Sequence, residues 1–399
     1  MKIGMMVDTY KPHMSGVTNV VALSKKYLEH SGHDVYVFTF GDEKYQDDEP
    51  NVIRSPGVPL SDSSYYVGLR YTRKAHDLLM TMDILHTHHP FLSGTLALLY
   101  RRSQHIPIIF TNHTRYDLYA HAYLPILPEA VGDTAIKAYL PPFCRAIDMV
   151  STPSPGMAQV LVKLGVDVPV KIIPNGIQLD PFQKKEASLS RSDFGIKPAD
   201  ILLIYTGRLG PEKNTTFLLR SFAGVADAMH NVHLIMVGDG PERDNLQDLA
   251  KHLGVGEKVH FTGLVPYQQM PAYLTMSDAF VTASVTEVHP LTVIEAMATG
   301  LPVLGIKSVG VGDIVEDGIT GYLASEDIAS YTAKMMLLVT EHSLRKELGE
   351  NAQRASHDYD INLTTQTWLT HYKGLVDKTR VGRKGLRNKF IKFFNRRNK

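Results

Sequence analysis

Short apolar, β-rich runs alternate with helix-forming stretches along almost the whole chain, and this alternation does more than any other feature to limit the fold. KIGMMV, DVYVFTF, ILHTH, PIIFTN, DMVSTPS and VKIIPN fall in the first half, and ILLIYTG, VHLIMVG, VHFTG, AFVTAS and PVLGI in the second. Such runs, spaced by helix-length segments, suit parallel sheets covered by helices on both faces. The expected fold class is therefore α/β, with two doubly wound parallel-sheet domains in succession. A length of 399 residues accommodates both, at roughly 100–200 residues each. With 44% hydrophobic residues the chain is neither disordered nor fibrous. Between the halves, NGIQLDPFQKKEASLSRSDFGIKPAD is polar, turn-rich and without a core period. The expected segments are a first domain over 1–178, a linker over 179–198, a second domain over 199–360, a helix over 361–377 returning to the first domain, and a basic tail over 378–399.

In open parallel sheets, ligands bind beyond the carboxyl ends of the strands, and the unusual loops fall there. In SVTEVHPLTVIEAMATGLPVL a strand runs through a loop into a helix that Gly300 closes as a C-terminal cap. Glu287 lies in the loop and Glu295 in the helix. A helix start is an anion site, because unpaired N–H groups and the macrodipole both favour a phosphate. A carboxylate within reach of that phosphate meets hydroxyls rather than a second anion. The combination fits a sugar nucleotide, with an ordinary strand-loop-helix bearing a surface glutamate as the alternative.

Other loops carry weaker local signals. Gly16, in DTYKPHMSGVTNVV, opens a helix and lets backbone amides approach a ligand closely. His113 follows PIIFTN and suits either a sugar hydroxyl or a structural role. Arg208 and Lys213 lie in YTGRLGPEKN, where two cations suit a leaving diphosphate. GDGP at 238–241 lacks the G-x-G-x-x-G spacing of a dinucleotide fingerprint. His86, His88 and His89 do not read as a metal site: strand alternation sends neighbours to opposite faces, and no cysteine or carboxylate accompanies them.

The string Glu287, seven residues, Glu295, then AMATGLPV resembles the two-glutamate signature of the retaining nucleotide-sugar glycosyltransferases of family four, and the resemblance extends over nearly residues 1 to 375. It implies the GT-B architecture, two Rossmann-like domains facing across a cleft. It further implies donor contacts from Gly16, from Arg208 and Lys213 in the pattern G-R-x-x-x-x-K-N, and from Leu291 and Thr292 at the diphosphate. Glu295 would meet the ribose, and the backbone near Leu264 and Val265 the base. Glu287 and His113 would face the transferred sugar. A UDP-sugar is the expected donor, with no permanently bound cofactor and no metal strictly required. HTRYDLYAHAYLP is similar to the corresponding stretch of bacterial diacylglycerol glucosyltransferases, with Asp117 where a glutamate is expected. That resemblance implies transfer of a hexose, glucose, to a lipid acceptor, 1,2-diacylglycerol. YYVGLRYTRK at 65–74 and LYAHAYLPILPEAV from Leu118 are the segments that would suit an amphiphilic acceptor.

Charge is uneven. From Lys378 to Lys399 there are ten Lys or Arg and no acid, which leaves a balance of −9 on the rest of the chain. Leu386, Phe390, Phe393 and Phe394 recur at i, i+4, i+7 and i+8 opposite basic residues, the pattern of an interfacial helix on an anionic membrane surface. So short a helix is expected to form only on that surface. Cys144 is the only cysteine, so no intrachain disulfide is expected. Asp8 interrupts the N-terminus before a signal-peptide core, and no window has the ~18–20 apolar residues of a spanning helix. The expected location is cytoplasmic, peripheral on the cytoplasmic face of the plasma membrane, with no nucleic-acid partner. A same-fold transferase with a soluble or polysaccharide acceptor, a nucleotide-sugar epimerase or phosphorylase, and a basic non-enzymatic adaptor remain alternatives.

Overall fold

A computed structural model of the chain describes residues 1–13, 15–59, 66–118, 129–184 and 189–397, with 102–104, 129–133 and 382–397 described by backbone alone. The chain forms two compact units, Met1–Pro174 with Asn362–Lys399, and Asn175–Ile361.

The first unit is built on a seven-stranded sheet. Its order is Val52–Pro56, Asp34–Gly41, Lys2–Met6, Ile84–Thr87, Ile108–Thr111, Met149–Thr152 and Val170–Ile172, with every pairing parallel. The central strands are buried on both faces, which is why they appear in the sequence as continuous apolar runs. Gly16–His30 returns from the first strand, capped by Ser15, whose Oγ accepts the Thr18 N–H at 3.2 Å.

The second unit has a six-stranded sheet in the order Val259–Gly263, Val232–Val237, Ile201–Thr206, Ala279–Val281, Val303–Ile306 and Gly321–Ala324, also parallel throughout. The order reverses beside Ile201–Thr206, so the loops after this strand and its neighbour Ala279–Val281 flank a topological switch point. Leu291–Thr299 packs on the sheet with Val293, Ile294, Ala296 and Met297 buried, and Gly300 ends it at φ +88°. The segment 179–198 is less of a linker than its polar composition suggests. Leu179, Phe182 and Ile196 are buried in the second unit's core, so a few apolar anchors among polar residues tie it down.

Ile361–Arg397 is one uninterrupted helix. Trp368, Leu369, Tyr372 and Val376 are buried in the first unit's core, each worth about 1.5–3 kcal/mol of transfer free energy. The tail thus differs from the surface-induced helix expected from its length. It continues a helix whose nucleation is already met by the packed turns before it. Its side chains beyond Val381, including the Leu386, Phe390, Phe393 and Phe394 stripe, lie outside the described residues. Among the described residues no helix is long and apolar enough to cross a membrane.

Candidate active site

The second unit gathers its candidate residues on the loops that follow Ile201–Thr206 and Ala279–Val281, and two contacts stitch these loops together. Thr286 Oγ1 donates to the Glu212 carbonyl at 3.0 Å, and Lys213 Nζ donates to Glu287 Oε1 at 2.5 Å. Lys213 and Glu287 lie 74 positions apart in sequence, yet form an ion pair whose side chains are only about a fifth exposed (23% and 22%). Arg208 is more open, paired with Glu212 at 3.2 Å. The Tyr205 hydroxyl donates to the Arg208 carbonyl at 3.0 Å and so fixes the turn that carries it.

The GDGP segment has a packing role. A Cβ at Gly238 would collide with the Gly207 carbonyl, and one at Gly240 with the Leu209 carbonyl. Only glycine lets this loop lie directly on the GRLG loop, and the Leu209 N–H donates to the Asp239 carbonyl at 2.9 Å. Gly310 plays a similar part at the other loop: its φ is +84°, and a Cβ there would meet the Glu287 carbonyl. Glu287 is therefore ion-paired to Lys213 at its carboxylate and closely approached by Gly310 at its backbone.

At Leu291–Thr299 the N-cap is Pro290, with no side-chain cap and no acidic residue in the first turn. Leu291 and Thr292 thus open a helix whose first N–H groups no capping side chain satisfies, the condition for an anion. Glu295 lies one turn on, only 4% exposed, and Tyr267 donates to its Oε1 at 2.8 Å. Burial pushes the Glu295 carboxyl up to about 7, against the opposing pull of the Tyr267 hydrogen bond. Tyr267 is half exposed and Leu264 82% exposed, so this phenol and the segment with Val265 lie at the surface beside a buried carboxylate. His289 is buried, its Nδ1 without a hydrogen-bond partner, and burial lowers it to about 4.

Gly16 and His113 belong to the first unit. A Cβ at Gly16 would meet nothing within 4 Å, so no intrachain packing demands glycine there. His113 follows the end of Ile108–Thr111, and its Nε2 lies 3.0 Å from His88 Nδ1. As strand alternation requires, His86 and His88 share one face, stacked with ring centroids 4.2 Å apart. His89 instead accepts the Asp8 N–H at Nδ1, 3.2 Å away. No group of three or more His, Cys, Asp or Glu able to hold a metal ion occurs among the described residues. Asp117 pairs with Arg115 at 2.7 Å. The aromatic stretches expected to meet the acceptor lie partly outside the described residues, at 65 and 119–128.

Sequence reasoning missed Glu212, Tyr267, Gly310 and His88. Of these only Gly310 carried a usable signal, a glycine between two apolar positions of SVGVGD; the other three acquire their roles through contacts distant in sequence.

Two family descriptions together account for most of the chain. Glycosyltransferase Family 4 matches residues 14–181, and Glycosyl transferases group 1 matches residues 187–355. An alpha-monoglucosyldiacylglycerol synthase of Streptococcus pneumoniae is 30% identical over 382 residues, 91% of this chain and 86% of that protein. The chain belongs to the family-four, group 1 glycosyltransferases. An alpha-monoglucosyldiacylglycerol synthase of Acholeplasma laidlawii is 28% identical over 396 residues, 95% of this chain and 98% of that one. In fold, the chain matches Anabaena HepE, solved in complex with UDP and glucose. The TM-score is 0.76 at 18% identity, over 94% of this chain and 100% of the other. The fold is thus GT-B, and the protein is a glycosyltransferase.

Proposed function

We propose that the protein is a retaining hexosyltransferase that moves glucose from UDP-glucose to 1,2-diacylglycerol at an anionic membrane surface. The observation that carries the donor half is the stitched pair of loops of the second unit: the Lys213–Glu287 ion pair joins the first loop to the second, and the second leads into an uncapped helix start and the buried Glu295. The acceptor half is supported by the likeness to the two alpha-monoglucosyldiacylglycerol synthases, which extends over more than nine tenths of the chain.

In this reading the Leu291 and Thr292 amides and the cations Arg208 and Lys213 receive the diphosphate. Glu295 accepts the ribose hydroxyls, and the backbone at Leu264 and Val265 meets the uracil. Gly16 leaves room for the donor beside its helix start. Glu287 and His113 orient the glucose. The bond from the anomeric carbon to the diphosphate breaks while the acceptor oxygen attacks from the same face, and the acceptor proton passes to a departing phosphate oxygen. The charge growing on the diphosphate is what Arg208 and Lys213 stabilise.

The test incubates full-length protein with radiolabelled UDP-glucose and vesicles containing dioleoylglycerol, then determines the anomeric configuration of the lipid product. An α-glucosyl lipid with release of UDP is expected. An altered free nucleotide sugar without transfer indicates an epimerase, and turnover that requires added phosphate indicates a phosphorylase.

The same reading assigns membrane docking to the tail. Arg380 pairs with Asp83 at 3.0 Å, so a truncation that spares the first unit must fall beyond it. Removing residues 382–399 is expected to abolish sedimentation with phosphatidylglycerol vesicles and to lower transfer to vesicle-embedded acceptor, while transfer to detergent-solubilised acceptor persists. Each Lys or Arg near the leaflet contributes on the order of 1 kcal/mol. Undiminished sedimentation of the truncated protein would overturn the assignment.

A further inference from the structure

We infer that His88 is a positioning residue for His113, fixing its ring orientation and placing its proton on Nδ1. This rests on the reading of His113 as a sugar-facing group, and goes beyond it by naming what holds that group and in which tautomer.

The contact chain starts deep in the first unit. The Ser151 hydroxyl donates to the Phe110 carbonyl at 3.4 Å. A carbonyl can only accept, so this end sets the direction of the whole chain. Ser151 then accepts from Thr111, 2.6 Å away, and Thr111 accepts from His86 Nε2, also 2.6 Å away. That leaves His86 Nδ1 to accept from the Tyr372 hydroxyl at 2.7 Å. His86 is thereby an Nε2–H tautomer with both ring nitrogens engaged, and Trp368 packs against its ring at 4.6 Å between centroids. Tyr372 and Trp368 belong to the C-terminal helix, so that helix locks the first ring of a stack.

His88 lies on His86, and His113 on His88, with centroids 4.2 and 5.2 Å apart. His88 is 3% exposed, and its Nε2 is buried without a hydrogen-bond partner. An orphaned buried N–H is rarer than an orphaned acceptor, so the His88 proton belongs on Nδ1. From there it donates to His113 Nε2 at 3.0 Å. His113 then carries its own proton on Nδ1. Burial holds His86 down at about 3 and His88 well below its usual value, so both rings stay neutral.

Four full-length variants separate this inference from its premise: His113→Ala, His88→Leu, His88→Asn, and His88→Leu combined with His113→Ala. Asparagine keeps an N–H donor near the His88 Nδ1 position; leucine fills the space without one. His88→Leu is expected to lower kcat for glucosyl transfer by about tenfold to a hundredfold, the scale of a misplaced reacting group, with UDP affinity unchanged. His88→Asn is expected to restore most of the turnover, and His88→Leu to add nothing once His113 is alanine. In the intact protein, nitrogen-15 spectra of labelled histidines are expected to show His88 and His113 as Nδ1–H tautomers, a readout that needs no variant to fold. Wild-type turnover in His113→Ala overturns the premise. An inactive His113→Ala beside a fully active His88→Leu, or an Nε2–H tautomer at His113, overturns the inference.

Discussion

Replacing Lys213 with alanine is expected to lower kcat about 10²- to 10³-fold, the usual cost of removing one preorganised group that meets charge developing in a transition state. The loss has two parts. The ammonium is gone when the diphosphate departs, and the Glu287 carboxylate, whose Oε1 lies 2.5 Å from Nζ, no longer has that counter-ion close to an anionic substrate. Stranding a partly buried charge is itself unfavourable, and here it also repels the donor. The second part makes a separable prediction. Lys213→Ala should weaken UDP binding, whereas combining it with Glu287→Ala should recover part of that affinity without recovering turnover. Calorimetry with UDP and steady-state kinetics on wild type and the two variants decide the matter. Wild-type turnover in Lys213→Ala would mean that the pair only ties two loops together.

Glu295→Gln is expected to make the folded protein more stable and the nucleotide site weaker, with the first effect growing from about pH 4.5 and complete above about pH 7. Burial raises the carboxyl from 4.5 to about 7. Below the lower value both the folded and the unfolded chain hold the proton, and Glu295 has no effect. Between the two values the folded chain keeps a proton that the unfolded chain has released, so stability falls as pH rises. Above about pH 7 the whole cost is present, on the order of 3 kcal/mol at 1.36 kcal/mol per unit. Glutamine removes this cost, and its amide oxygen still accepts from Tyr267. The variant should therefore melt several degrees above wild type at pH 8 and alongside it near pH 4. UDP binding should weaken by about 1.5–3 kcal/mol as charge-assisted bonds to the ribose are lost. Equal melting temperatures at pH 8 would show that the carboxylate is not buried in solution.

What the sequence made legible was set by local pattern. All eleven apolar runs are strands: nine are central parallel strands, which burial on both faces makes apolar, and two, Val170–Ile172 and Val259–Gly263, are edge strands with enough apolar residues to be read as well. The edge strands Val52–Pro56 and Gly321–Ala324 were missed. They are only partly buried, and their Arg54, Ser55 and Gly321 break any continuous apolar run. Gly300 and Gly16 sit at helix ends as their neighbours suggested. The partners of the site residues were a different matter. Glu287 and Lys213, His88 and His113, or Tyr267 and Glu295 meet only once the chain has folded, and nothing within a window of residues marks them as pairs. GDGP illustrates the reverse case, a conspicuous string whose glycines serve the close approach of two loops.

The first unit is discontinuous: its sheet comes from residues before Pro174, but part of its core comes from the helix at the far end of the chain. During synthesis, then, the half that leaves the ribosome first is the half completed last. Until Trp368 and Tyr372 emerge, the apolar cluster around Ile3, Val35 and Ile109 is covered only in part, by Val21 and Leu28 of Gly16–His30, while Asn175–Ile361 can already close as a unit. A fragment ending near residue 174 should consequently behave as an exposed, self-associating intermediate. Supplying the missing helix by circular permutation, with residues 362–381 fused ahead of Met1, offers the direct way to isolate that unit in soluble form.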